Sequence, residues 1–284
     1  MTISKSLSLT SLSMKYIILL LFCFGFIFTV KAQHPPIFEG LQIDSTNLFL
    51  QDLPINLVKY SFGEPNINFL SIHDNEDTGV KAAFEFIRFS GGSIIDCQYG
   101  SARNFQFWYN EEEFQTDPNS IYSKTGIIKG LEKYGRADIE VIKQLEELSN
   151  TILKKYSEND PAYFFTLHNN ADGGFGISSY LKGYELEGFA DSLHINFQMD
   201  NDDLILVTDL ALFNSLKIEN VNVVLQSLGA PDDGSLSVYS MKKNIPYINV
   251  EVQHGHFEEN LRLIEISTKV LLEIYPELTQ ASSH

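Results

Sequence analysis

Three short apolar stretches of this chain run straight into side chains that bind metals or move protons. Residues 67–72 (INFLSI) are followed by His73-Asp74-Asn75-Glu76, residues 162–167 (AYFFTL) by His168-Asn169-Asn170, and residues 247–250 (YINV) by Glu251, with Gln253-His254-Gly255-His256 just beyond. A histidine three residues before a glutamate lets both reach one ion from a tight turn, and a histidine on a neighbouring strand supplies a third ligand. Two histidines and a glutamate, with water in the fourth position, form a catalytic zinc arrangement. Such an ion lowers the water's pKa to about 7 and polarises a carbonyl. A separate carboxylate must still take the proton, and Glu251 is the candidate base. The spacing alone is not specific, because His256 and Glu259 repeat it. Setting is what distinguishes the first pair; the plain alternative is that His73 and His168 only cap strands with hydrogen bonds.

The elements that must position these residues can be read from periodicity. Short runs rich in β-branched and aromatic residues recur at 67–72, 93–97, 162–167, 204–208, 222–226 and 247–251, and several are apolar throughout, as expected of strands covered on both faces. Between them, 137–156 places Ile139, Ile142, Leu145, Leu148, Ile152 and Tyr156 three or four residues apart, with Asp138 and Glu140 early and Lys154 and Lys155 late, which suits the helix dipole. Residues 77–89 and 260–275 also read as helices. Alternating strands and helices predict an α/β fold with a largely parallel sheet layered between helices. In such sheets ligands bind beyond the carboxyl ends of the strands, where these side chains stand.

Composition narrows the function. The chain has 284 residues, 44% of them apolar and 20% charged, which is globular in character. Its formal charge of −17 speaks against nucleic-acid binding, which needs a basic surface. Lys5 and Lys15 precede the apolar run 16–30, which is followed by Lys31-Ala32. This pattern predicts a signal peptide over 1–32, cleaved after Ala32; the run is short for a membrane-spanning helix, which needs about 20 residues. The expected organisation is therefore signal 1–32, a leader 33–54 and one catalytic domain 55–284. The product is exported, periplasmic or secreted, with no stable membrane insertion after cleavage. Removing the signal also removes Cys23 and leaves Cys97 alone, so no internal disulfide forms, and Cys97 reads as a small buried hydrophobe.

His73-Asp74-Asn75-Glu76, His168 after an apolar strand and Glu251 late in the chain resemble the zinc carboxypeptidase superfamily. The nearer likeness is to its branch of succinylglutamate desuccinylase, aspartoacylase and murein-peptide-cleaving enzymes, and it spans about residues 66–272. The resemblance implies a three-layer α/β sandwich with a mainly parallel mixed sheet. It also implies one zinc per chain on His73, Glu76 and His168, Glu251 as catalytic base, and Arg103 handling the carbonyl or a substrate carboxylate. Members often carry an Asn-Arg pair that clamps that carboxylate. The comparable stretch here is Thr116-Asp117-Pro118-Asn119-Ser120, with Ser120 in place of the arginine. Serine cannot supply arginine's bidentate fork, so either Arg103 does both jobs or carboxylate recognition is altered, with Arg103 the best single clamp.

Around this constellation, Asn119, Asn169 and Tyr180 are candidate substrate contacts, and Tyr122 a second aromatic wall. Residues 171–176 (ADGGFG) form a flexible loop beside the site. The plainer reading of His254 and His256 is a turn that opens a helix. The expected function is an exported zinc-dependent hydrolase of an amide or peptide bond, acting on a small peptide such as a murein peptide. Alternatives are a deacylase of small N-acyl amino acids and a non-catalytic envelope binding protein on the same fold.

Overall fold

The computed structural model describes Pro35 and residues 37–64, 67–157 and 162–279. The signal assigned to 1–32 lies outside the described residues, as does part of the 33–54 leader. Strands and helices follow in the order β1 (Gln42–Leu50), β2 (Leu53–Phe62), β3 (Asn68–Ser71), α1 (Asp77–Ser90), β4 (Gly92–Gln98), β5 (Phe105–Tyr109), β6 (Glu112–Thr116), α2 (Lys124–Tyr134), α3 (Ile139–Tyr156), β7 (Phe164–Asn170), β8 (Ala190–His194), β9 (Leu204–Val207), α4 (Leu210–Ile218), β10 (Val223–Gln226), α5 (Leu236–Lys243), β11 (Tyr247–Gln253) and α6 (Phe257–Ile274).

Nine strands form one sheet in the order β1-β2-β4-β3-β7-β11-β9-β10-β8, and β5 and β6 make a separate hairpin. The sheet is mixed. Parallel ladders join β4 to β3, β3 to β7, β7 to β11 and β9 to β10, whereas β1·β2, β2·β4, β11·β9 and β10·β8 are antiparallel. A largely parallel sheet thus describes only its centre and the β9·β10 pair. Residues 33–54 are not a simple leader either: Gln42–Leu50 pairs along its whole length with β2 and forms one edge of the sheet.

Alternation along the central strands divides the core between the two faces. On β11, Tyr247 packs into one apolar cluster while Ile248, Val250 and Val252 pack into the other, and Phe164 and Phe165 of β7 divide in the same way. Helices α2 and α3 supply Ile127, Leu131, Val141, Leu145 and Ile152 to the first cluster, and α1, α4 and α6 supply Val80, Ile87, Leu212, Leu263 and Val270 to the second. The start of α3 is fixed by Asp138, whose carboxylate accepts from the Glu140 and Val141 amides. On the Tyr247 face, the side chains near the carboxyl ends of β7 and β11 turn polar: Thr166 and His168, Asn249 and Glu251. Among the described residues no helix is long and apolar enough to cross a membrane.

Candidate metal centre

After β3 the chain turns tightly, the Glu76 amide donating to the His73 carbonyl at 3.1 Å, so both side chains face one point. Glu76 is the N-cap residue of α1, yet its carboxylate makes no capping hydrogen bond. The carboxylate faces two imidazoles instead. His168, on β7, stands opposite Glu251 of β11 in parallel register. Nδ1 of His73 lies 3.0 Å from Nδ1 of His168, and Glu76 reaches the first with Oε1 at 3.1 Å and the second with Oε2 at 3.1 Å. All three side chains are buried.

The donor set fits a small divalent ion. Asp117 Oδ1 lies 2.8 Å from His73 Nε2, which places the proton on that nitrogen and leaves a lone pair on Nδ1. His168 Nε2 is buried without a hydrogen-bond partner, so its polar contacts converge at Nδ1. Imidazole lone pairs and a carboxylate do not crowd to 3 Å without positive charge between them. A tetrahedron with bonds of about 2.0–2.1 Å has edges of roughly 3.3 Å, close to the spacings found. Without an ion, protons meet the demand. Burial would lower the His73 pKa, but Glu76 and Asp117 outweigh it and raise it to about 9. Glu76 is held well below the usual carboxylate range, burial being overcome by both histidines. Asp117 is drawn down to about 2 against its burial, by His73, the Asn119 amide and Arg103.

Arg103 bonds Glu76 and comes within 3.8 Å of Asp117. Its backbone is set by Asp74, whose Oδ2 accepts from the Tyr99 and Ser101 amides at 2.5 and 2.7 Å, and by the Tyr99 hydroxyl donating to the Arg103 carbonyl at 2.8 Å. Glu251 is brought to the same cleft, of about 570 Å³. Burial, the largest cause, pushes its carboxyl up to about 7, with Glu76 adding and His168, Asn249 and His73 opposing.

The other site residues named from sequence fare unequally. Asn119 and Tyr180 line the cleft, Tyr180 packed edge-on against Phe175 at 5.8 Å, while Asn119 Oδ1 also accepts from the Leu236 amide at the start of α5. Asn169 borders the cleft, but its amide is committed to the protein: Oδ1 accepts from Gly79 N and Nδ2 donates to the Val252 carbonyl. It ties α1, β7 and β11 together. Tyr122 is absent from the wall and packs in the core beside Tyr239. Ser120 lies on a short 3-10 turn outside the cleft lining. Among the described residues, Arg103 is the only lysine or arginine lining the cleft. Cys97 is fully buried, and burial pushes its thiol well up, as befits a small hydrophobe.

Sequence reasoning missed Asp117, Asp74 and Asn249. Asp117 offered a signal: an Asp-Pro step closing β6, with the Asp117 side chain also accepting from the Asn119 amide. Asn249 is taken up below.

No family model matches the chain, and no curated protein matches it. Among solved structures, a candidate metallopeptidase from Shewanella baltica OS155 is 11% identical with a TM-score of 0.41, over 84% of this chain and 86% of that one. One from Shewanella denitrificans OS217 is 11% identical with a TM-score of 0.38, over 82% and 84%. The tripeptide-bound cell shape determinant Csd4 of Helicobacter pylori is 10% identical with a TM-score of 0.37, over 82% of this chain and 55% of that chain.

Proposed function

We propose that the chain is an exported zinc-dependent hydrolase of an amide or peptide bond, a three-layer sandwich of the zinc carboxypeptidase type. The observation that carries this reading is the convergence of two Nδ1 atoms and the Glu76 carboxylate, 3.0–3.1 Å apart, in a cleft shared with a buried Glu251. His73, Glu76 and His168 would hold one zinc ion, which supplies a water of pKa about 7 and polarises the scissile carbonyl. Glu251 takes the water's proton and returns it to the leaving amine. Burial raises its carboxyl above the ordinary range in the metal-free protein, the direction that suits both transfers near neutral pH. Arg103 steadies the carbonyl oxygen or a substrate carboxylate, and Asn119 and Tyr180 contact the substrate. Export favours a murein peptide over a small N-acyl amino acid.

The test is zinc per chain in the purified protein and in His168→Ala, with hydrolysis of murein peptides and N-acyl amino acids assayed on both. One zinc in the parent, none in the variant and release of free amine support the proposal. No zinc after reconstitution overturns it, and release from N-acyl amino acids alone turns it to a deacylase.

A further inference from the structure

The proposed base needs more than burial to work, because a carboxylate that wanders by an ångström loses its alignment. Tyr247, Asn249 and Glu251 occupy alternate positions of β11 and share one face, and Thr166 of β7 stands opposite Asn249 in the parallel ladder. Their side chains touch in sequence. The Tyr247 hydroxyl is 2.7 Å from Thr166 Oγ1, Thr166 Oγ1 donates to Asn249 Oδ1 at 3.2 Å, and Asn249 Nδ2 donates to Glu251 Oε2 at 3.3 Å. Thr166 has one proton, and Asn249 Oδ1 can only accept. Tyr247 must therefore donate to Thr166, which gives every bond in the chain one direction.

That direction matters at its end. With its oxygen engaged by Thr166, the Asn249 amide presents N–H to the carboxylate; turned over, it would set oxygen against oxygen. Tyr247 is fit to head the chain, because burial, followed by the charges of Glu251 and Asp233, raises its hydroxyl pKa and keeps the proton on oxygen despite the Thr166 bond. Tyr247 and Thr166 are each 1% exposed, so water does not compete for the bond between them. Bonds of 3.2–3.3 Å are long, and their service is to orient Glu251 more than to bind it.

We propose that Asn249 is the positioning residue of Glu251, held in its working orientation by the Tyr247–Thr166 hydroxyl pair. The proposal rests on the hydrolase reading for its kinetic consequence and on the hydrogen-bond geometry for the rest.

Thr166 does not line the cleft, so Thr166→Val tests the chain without touching substrate. In the zinc-loaded enzyme, kcat is expected to fall about 3–10-fold with KM unchanged, a loss of roughly 1 kcal/mol, and Thr166→Ser is expected to restore it. Asn249→Ala is expected to cost more, and adding Thr166→Val to it is expected to cost nothing further. A parental kcat in Thr166→Val overturns the proposal. So does a rise in KM alone in Asn249→Ala, which would make Asn249 a substrate contact, or loss of zinc in Thr166→Val, which would place the chain's service at His168. Crystal structures of the parent and of Asn249→Ala form a second arm that needs no activity. The Glu251 carboxylate is expected to leave its position or occupy more than one; a carboxylate that stays overturns the proposal. A parent that binds zinc and hydrolyses nothing refutes the hydrolase reading, and the crystallographic arm still decides the orientation of Glu251.

Discussion

Among the described residues, two clusters of histidine and acid have ligand atoms close enough to share an ion: His73, Glu76 and His168, and Asp200, Asp203 and His256. Each includes the histidine of a His-x-x-Glu sequence. They differ in what else the side chains are doing. In the first, Glu76 gives up capping α1 and Asp117 orients His73, so donor atoms converge on one buried point. In the second, Asp203 already accepts from the Gln253 amide at 2.9 Å and meets His256 Nδ1 at 3.3 Å, while Glu259 is turned away to Arg262. Proximity is common to both; an unmet demand for positive charge belongs to the first.

The comparison breaks most sharply at Glu251, for which the second cluster has no counterpart. Glu251→Gln is expected to lower turnover by about 10²–10⁴-fold, the usual contribution of a general base, while one zinc stays bound. The acid limb of the parent's kcat/KM profile should lose its Glu251 component in the variant. Activity requires the carboxylate, so that limb rises with pH toward the folded pKa of about 7, and a bound dication moves it lower. A variant with parental turnover would remove Glu251 from the mechanism.

Next in size is Asp117. Asp117→Asn keeps the shape but offers His73 Nε2 a neutral partner, and partners of this kind typically matter 10–100-fold in metal affinity. Zinc competition against a chromophoric chelator measures this. Unchanged affinity would make Asp117 only a cap for its 3-10 turn.

Glu251 sharpens the comparison again in the metal-free protein. Its folded pKa stands above the ordinary 4.5, so the folded state binds the proton more tightly, and its stabilising effect is present below the unfolded pKa and lost as pH rises through about 7. Glu251→Gln is therefore expected to raise the Tm of the metal-free chain above pH 7 and to change it little below pH 4.5. Thermal melts at pH 4 and pH 8 check the sign.

Much of this was legible from residues alone. The strands and helices that carry ligands were found because buried central strands read as continuous apolar runs and α3 shows its apolar stripe with Asp138 before it. That His73, Glu76, His168 and Glu251 would share one cleft is legible because a strand end followed by a metal-binding residue recurs three times. What escaped depends on contacts distant in sequence. Strand β1 was taken for a leader because QIDSTNLFL is largely exposed and shows no core face of its own. Asn169 looked like a substrate contact because sequence cannot show that both ends of its amide are engaged 83 and 90 residues away. Asp117 acts on a residue 44 positions away, and the Asn249 amide that meets Glu251 is oriented by Thr166, 83 positions away.

The smallest effects belong to the second cluster, and they separate its two members. His256→Ala removes a half-exposed partner of Asp203, a contact worth less than about 1 kcal/mol. Asp203→Ala strips a buried acceptor from the Gln253 amide at the end of the strand that carries Glu251, and an orphaned donor costs about 1–3 kcal/mol. If this cluster is structural, urea melts should show Asp203→Ala as the more damaging variant, and both variants should keep the parent's single zinc. A parent that holds two zinc ions per chain, one of them lost in His256→Ala, would mean that proximity alone had been enough, and that the hydrogen bonds of Asp203 had been weighed too heavily.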